Sequence, residues 1–147
     1  MEKTSKNFEL LVRALIIQNG KILLCQTKGR DYYFLPGGHV EYGETLSDAL
    51  IRELKEEMGA KVLEKQFIGG AENLFDQRGE FVHEISFVFQ TEIEGEVVEA
   101  HEGHIQFSWF SYEEFVQNNV LPPSLKEAII HWIQKKESFF MLQRRDV

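Results

Sequence analysis

Apolar and polar positions change period several times along the chain, and each change marks an element. Residues Glu9 to Ile17 are apolar and β-branched, Asn19-Gly20 is a hairpin signal, and Lys21 to Gln26 reads as the returning strand. Tyr32 to Leu35 predicts a short strand, broken by Pro36-Gly37-Gly38. The period then lengthens: Leu50, Ile51, Leu54 and Met58 recur at helical spacing and form an apolar stripe. Thr45 or Ser47 is placed to cap that helix, Asp48 falls in its first turn, and Gly59 stands where a C′ residue ends it. Further strands are predicted over 62–73, 81–93 and 106–110, then helices over 112–117 and 124–136. Repeats, linkers and low-complexity tracts are missing, so pattern alone predicts one compact α-plus-β unit with a mixed sheet spanning residues 1–147.

The polar side of the 46–58 helix carries the chemistry. At 100° per residue, Glu56 lies about 60° to one side of Glu53 and Glu57 about 40° to the other, so the carboxylates project within an arc of roughly 100°. Two such charges about 6 Å apart, at an effective dielectric near 20, repel by roughly 3 kcal/mol before salt screening. A hard cation with oxygen ligands reverses that sign. A solvated acidic face is the ordinary reading of a glutamate run. Local pairing argues against it here, because Arg52 can answer Glu56 at i,i+4, whereas Glu53 looks back to Ala49 and Glu57 to Glu53. The preceding glycines predict close approach of the backbone to whatever the carboxylates hold.

Gly38, five residues, Glu44, seven residues, Arg52-Glu53-Leu54, one residue, Glu56-Glu57, one residue, Gly59 resembles the Nudix box, spanning 38–60. The departure is Ala60, where the box usually has a bulky aliphatic residue. The resemblance implies an α/β/α sandwich with a mixed sheet, and hydrolysis of a nucleoside diphosphate linked to another group by water attack at phosphorus, with Mg²⁺ or Mn²⁺ as cofactor. It implies Gly38, Glu53, Glu56 and Glu57 as metal ligands, Glu53 as a candidate base, and Arg52 with Glu44 as a structural ion pair. It also implies a further carboxylate from a distant loop, for which Glu102 is the candidate and Glu99 its rival. Arg13, Lys28 and Arg30 are candidates to meet substrate phosphates, and Tyr32, Phe34 and Phe75 to stack on a base, although aromatics in strands are more often core.

Two other motifs fail on inspection. Gly38-x4-Gly43 has P-loop glycine spacing, but Glu44 occupies the lysine position. His101-Glu102-Gly103-His104 is one residue short of a zinc-protease helix and contains a glycine. With an oxygen-loving cation implied, His39, His83 and His104 receive no metal role.

Charge bounds the partner. With 24 acidic against 16 basic residues and a net charge of −8, the chain lacks the basic footprint of a protein that grips long nucleic acid, and a small phosphorylated molecule is the expected partner. Cys25 has no intrachain partner, and no apolar run reaches the roughly 20 residues of a membrane span, so the expected setting is the cytoplasm without membrane attachment. Trp132, Phe139, Phe140 and Met141 are read as either a homodimer patch or a cover for the core. The alternative from a different functional class is a non-catalytic Nudix domain that binds or senses a nucleotide; an isomerase on the same frame would want a nucleophile that Cys25, in a strand, supplies poorly.

Overall fold

The computed structural model describes residues 8–96 and 98–144. Its elements in order are β1 (Glu9–Leu15), β2 (Ile17–Gln18), β3 (Lys21–Thr27), β4 (Gly37–His39), α1 (Leu46–Met58), β5 (Val62–Gln77), β6 (Glu80–Ile93), β7 (Ile105–Ser111), α2 (Tyr112–Gln117), α3 (Pro123–Lys135) and β8 (Phe139–Arg144). Five strands form a mixed sheet in the order β4-β1-β6-β5-β8, with β1 parallel to β6 and β5 parallel to β8, while β2-β3-β7 form a separate antiparallel sheet. The mixed α/β architecture expected from the sequence is present.

Alternation explains how two cores arise from these strands. Along β1, Val12 and Ala14 face one side of the large sheet and Leu15 the other; along β3, Leu23 points one way and Ile22 and Leu24 the opposite way. One core sets Val12, Ala14 and Leu23 against Ala49, Leu50, Leu54 and Met58 of α1. The second sets Leu15, Ile22, Leu24 and Val88 against Phe115 of α2 and Leu125, Ile129 and Trp132 of α3. The small sheet therefore serves both cores, which is why β3 reads as an unbroken apolar run.

Several expectations need correction. The run read as one strand over Glu9–Ile17 divides at Ile16, and its two parts join different sheets. Tyr32 to Leu35 makes only isolated bridges, Cys25 with Phe34 and Tyr33 with Val120. The strand forms instead in the stretch read as a breaker, where Gly37–His39 pairs with β1 in the register Arg13 to Gly37. Gly37 has φ +145°, and a side chain there would overlap the Val12 carbonyl. Gly37 thus gives the edge strand a conformation closed to other residues. In α1, Ala49 is buried and Ile51 is exposed, so the stripe is rotated slightly from the expected one. Thr45, not Ser47, caps the helix by accepting from the Asp48 N–H at 3.0 Å, and Gly59 closes it at φ +64°. β5 and β6 run on through a tight turn at Arg78-Gly79, longer than the pattern predicted. β8 was not foreseen as a strand.

Candidate functional site

The site grows from the β4–α1 unit. Arg52, on the first half of α1, turns back over the loop that precedes the helix: Nε donates to Glu44 at 2.7 Å, and Nη2 donates to Glu44 at 2.8 Å and to the His39 carbonyl at 2.9 Å. Glu44 in turn accepts from the Glu41 N–H at 3.0 Å. These contacts, led by the Arg52 hydrogen bond, hold the Glu44 carboxyl down at about 2, and the same hydrogen bond raises Arg52 above its ordinary value. The loop from 39 to 44 is tied to the helix by one guanidinium fork. This is the structural ion pair that the resemblance implied.

The carboxylates behave differently from their helical-wheel description. Arg52 Nη1 reaches Glu53 at 2.9 Å and Glu56 at 3.2 Å, so Glu53 does have a cationic neighbour, from the adjacent residue rather than one turn away. Glu56 is more than half exposed and leans toward Arg52 and solvent. Glu53 is nearly buried, and its carboxyl group lies where a side chain on Gly38 would stand. The close backbone approach expected of the glycines is therefore made by the chain's own Glu53.

Glu57 is the electrostatic centre. Burial first, then the Glu53 charge, pushes its carboxyl up to about 8; Glu102 adds to the rise, while Arg13 and a hydrogen bond from the Gly37 N–H oppose it. The same groups bear on Cys25, a buried thiol raised by burial first and then by the Glu57 charge. Glu102, predicted from a loop 45 residues after Glu57, is thus brought into the field of Glu57. The His101 N–H donates to the Glu57 carbonyl at 2.8 Å, which pins that loop to the end of α1. Glu99 is exposed. Among the described residues no group of three His, Cys, Asp or Glu side chains is already gathered as a metal cage. Buried like charges spread apart unless a cation draws them in.

Of the residues expected to meet substrate, Arg13 and Phe34 come together: the guanidinium carbon lies 5.9 Å from the ring centroid, and Nη1 donates to the Leu35 carbonyl at 3.2 Å. Lys28 and Arg30 are exposed in the turn after β3, and the Lys28 N–H donates to the His104 carbonyl, beside the loop of Glu102. Tyr32 is tilted against Phe34. Of the aromatics near the C-terminus, Trp132 is core, and its indole N–H donates to Gln90 at 2.8 Å.

Sequence reasoning missed a polar row on the same sheet face as Arg13. Register places Arg13 beside Val88, and Ser86 and Glu84 follow on that face; Glu84 pairs with Asn73 of β5. Asn73 is buried, its amide nitrogen donates to Glu84 at 3.0 Å, and its carbonyl oxygen has no partner among the described residues. The legible signal was an Asn alternating with Ala71 and Phe75 in an otherwise core-facing register. Gly37, whose N–H serves Glu57, was also given no role.

A mixed sheet, a glycine-walled edge strand, and a helix whose inner edge gathers carboxylates beneath an Arg–Glu clasp define the class of domain. A family model described as the NUDIX domain matches residues 9–135, and the chain belongs to that family. It is 39% identical over 88 residues to an ADP-ribose pyrophosphatase of Methanocaldococcus jannaschii, covering 57% of this chain and 50% of that protein. It is 31% identical over 106 residues to the uncharacterized Nudix hydrolase YvcI of Bacillus subtilis, covering 70% of this chain and 65% of the relative. The chain thus spans between half and two thirds of the length of these relatives. Among solved structures it resembles the MutT protein of Bacillus halodurans, with a TM-score of 0.80 at 20% identity over 92% of this chain and 89% of that one, a likeness of fold. No described helix is long and apolar enough to cross a membrane.

Proposed function

We propose that this chain hydrolyses a diphosphate bond in a small nucleoside diphosphate derivative, with its reacting centre at the inner edge of α1. The observation that carries this reading is the glutamate edge of α1, where the Glu53 carboxyl stands over Gly38 and its charge, with that of the loop-borne Glu102, bears on the buried Glu57. The donor set fits a hard divalent cation, since every candidate ligand is an oxygen: the carboxylates of Glu53, Glu56 and Glu57 and the Gly38 carbonyl. When bound there, Mg²⁺ or Mn²⁺ withdraws charge from the diphosphate oxygens and lowers the pKa of water.

The remaining work belongs to the chain. Glu53, gripped by Arg52 at 2.9 Å, is oriented to accept one proton as a water oxygen bonds to phosphorus; the bridging P–O bond breaks and the leaving phosphate carries away its electron pair. Arg13, braced on the Leu35 carbonyl and Phe34, offers a positive charge to the leaving phosphate. Arg52 and Glu44 hold the glycine loop in register and take no part in the chemistry.

A nucleoside rather than a bare diphosphate is favoured by the Asn73–Glu84 pair. Four residues along β6 from the Arg13 row, about 13 Å away, it holds the partly exposed Glu84 carboxylate, an acceptor suited to a base edge, against the Asn73 amide. The curated relatives agree in kind: ADP-ribose pyrophosphatase by name, and at 29% identity over 119 residues a CTP pyrophosphohydrolase of Escherichia coli. The acidic balance favours a small substrate over RNA, and the free thiol favours a cytoplasmic setting.

The deciding experiment incubates the purified protein with Mg²⁺ or Mn²⁺ and nucleoside triphosphates, ADP-ribose, NADH and a dinucleoside polyphosphate, resolving products by chromatography beside Glu53→Gln. The expected outcome is cleavage between phosphates, lowered roughly 10²- to 10⁴-fold in the variant. Nucleotide binding without turnover by the wild type sinks the hydrolase and leaves a sensing domain.

A further inference from the structure

The large sheet has one face that α1 covers only at one end. Beneath α1 lie Val12, Ala14, Phe89 and Ile93. Toward the other end, register aligns Leu10 of β1 with Ile85 of β6, Ile85 with Glu72 of β5, and Glu72 with Leu142 of β8. The adjoining row aligns Phe87 with Gly70 and Phe140. Exposure along this open half is 65% for Phe8, 40% for Leu10, 43% for Phe81, 63% for Phe140 and 60% for Leu142, and Phe67, which flanks it beside Phe89, is 52% exposed.

Those side chains present roughly 500 Å² of apolar surface, at the upper end of the largest patch on an ordinary monomer, where such patches often mark a contact site. The polar residues at the centre satisfy each other: His83 pairs with Glu72 at 2.6 Å, both about three-quarters buried, with the Phe8 ring edge-on to the imidazole at 4.7 Å. Sequence repeats the message, since Phe139-Phe140-Met141-Leu142 is apolar on both faces of a strand, the pattern of a strand covered on both sides.

We propose that this open half-face is where a second copy of the chain docks, sheet on sheet, to form a symmetric dimer. Area is the first argument: with the partly exposed Leu74, Ile85 and Phe87 added, the patch approaches the roughly 800 Å² per partner of a standard interface. Self-complementarity is the second: the face is apolar around a paired His and Glu, and the charges that register adds at its outer end, Asp76 beside Phe81 and Arg144 beside Leu74, are of opposite sign.

Sterics select the symmetry. α1 stands about 10 Å proud of the sheet, whereas packed sheets approach to about 10 Å. A two-fold axis parallel to the strands would place both helices at the same end and hold the sheets apart. An axis perpendicular to the strands overlaps the open halves and sends the two helices to opposite ends, bringing β8 against its counterpart. The carboxylate edge of α1 lies outside that overlap.

Sedimentation equilibrium of the full chain at about 10 µM reads the outcome. Wild type is expected at twice the 17.2 kDa chain mass, and Leu142→Lys and Phe140→Lys at the monomer mass with unchanged circular dichroism. Leu10→Lys, on the opposite side of the patch, gives the same loss and serves if a β8 variant fails to fold. A monomeric wild type, or a dimer indifferent to all these variants, overturns the proposal; the former hands the face to another apolar partner, the latter places the contact elsewhere. The assay is independent of nucleotide cleavage, so the hydrolase and the dimer stand or fall separately.

Discussion

Replacing Glu57 by Gln separates what the carboxylate does for function from what it does to the fold. In the metal-free protein, burial and the neighbouring Glu53 raise this group from 4.5 to about 8. A group whose folded value is raised contributes stability that is full below about 4.5 and is lost as pH rises through about 8. The whole displacement corresponds to roughly 4–5 kcal/mol, of which about 3 is already gone at pH 7. Gln keeps the shape and the hydrogen-bonding reach without the proton. The expectation is that with EDTA present the variant melts at about the wild-type temperature at pH 4.5 and roughly 5–15 °C above it at pH 9. Adding Mg²⁺ narrows the gap, because ligand at about 100 times its Kd stabilises the wild type by roughly 2.7 kcal/mol and the variant by less. Thermal melts across pH 4.5–9, with and without Mg²⁺, supply the readout. Parallel melting curves for the two proteins at all pH values would refute the account of Glu57 as a buried carboxylate strained by its neighbours.

Arg52→Lys keeps the charge but removes the fork that joins Glu44, His39 and Glu53, so turnover should fall by up to about 10²-fold through a misplaced glycine loop, with KM little changed; steady-state kinetics checks this. Gly38→Ala drives a methyl group into the Glu53 carboxyl, and activity should be lost while far-ultraviolet circular dichroism is preserved; an active variant would show that Glu53 is free to move. Glu102→Gln removes one of the charges that raises Glu57, so the pH at which the metal-free protein loses stability should fall, whereas Glu99→Gln, at an exposed position, should leave it in place; melts in EDTA distinguish the two.

Much of the site could be read locally. The helix, its Thr45 cap, its Gly59 end and the alternation of Arg52 with the glutamates all lie within one stretch of 15 residues, where 3.6-residue geometry needs no tertiary information. The helical wheel anticipated the Arg52–Glu56 pair but failed at Glu53 for a physical reason. It fixes the direction in which a side chain leaves the helix, but not where a long Arg reaches, and Arg52 took both glutamates.

The remainder is non-local. Glu102 was one of several glutamates in an acidic loop until the His101 N–H, bound to the Glu57 carbonyl, set that loop against the end of α1. β8 is strand only because β5 offers a parallel edge; its apolar run fits a buried cover as well as a strand, and pairing decides. Gly37 looked like a breaker because glycine weakens strands on average, yet the approach of the Val12 carbonyl allows nothing larger there. Residue types and their spacing determined which chemistry the chain can carry. Only the packing of loops and sheet edges determined which distant carboxylate bears on Glu57, since proximity between residues far apart in sequence depends on the whole chain's burial and not on any local period.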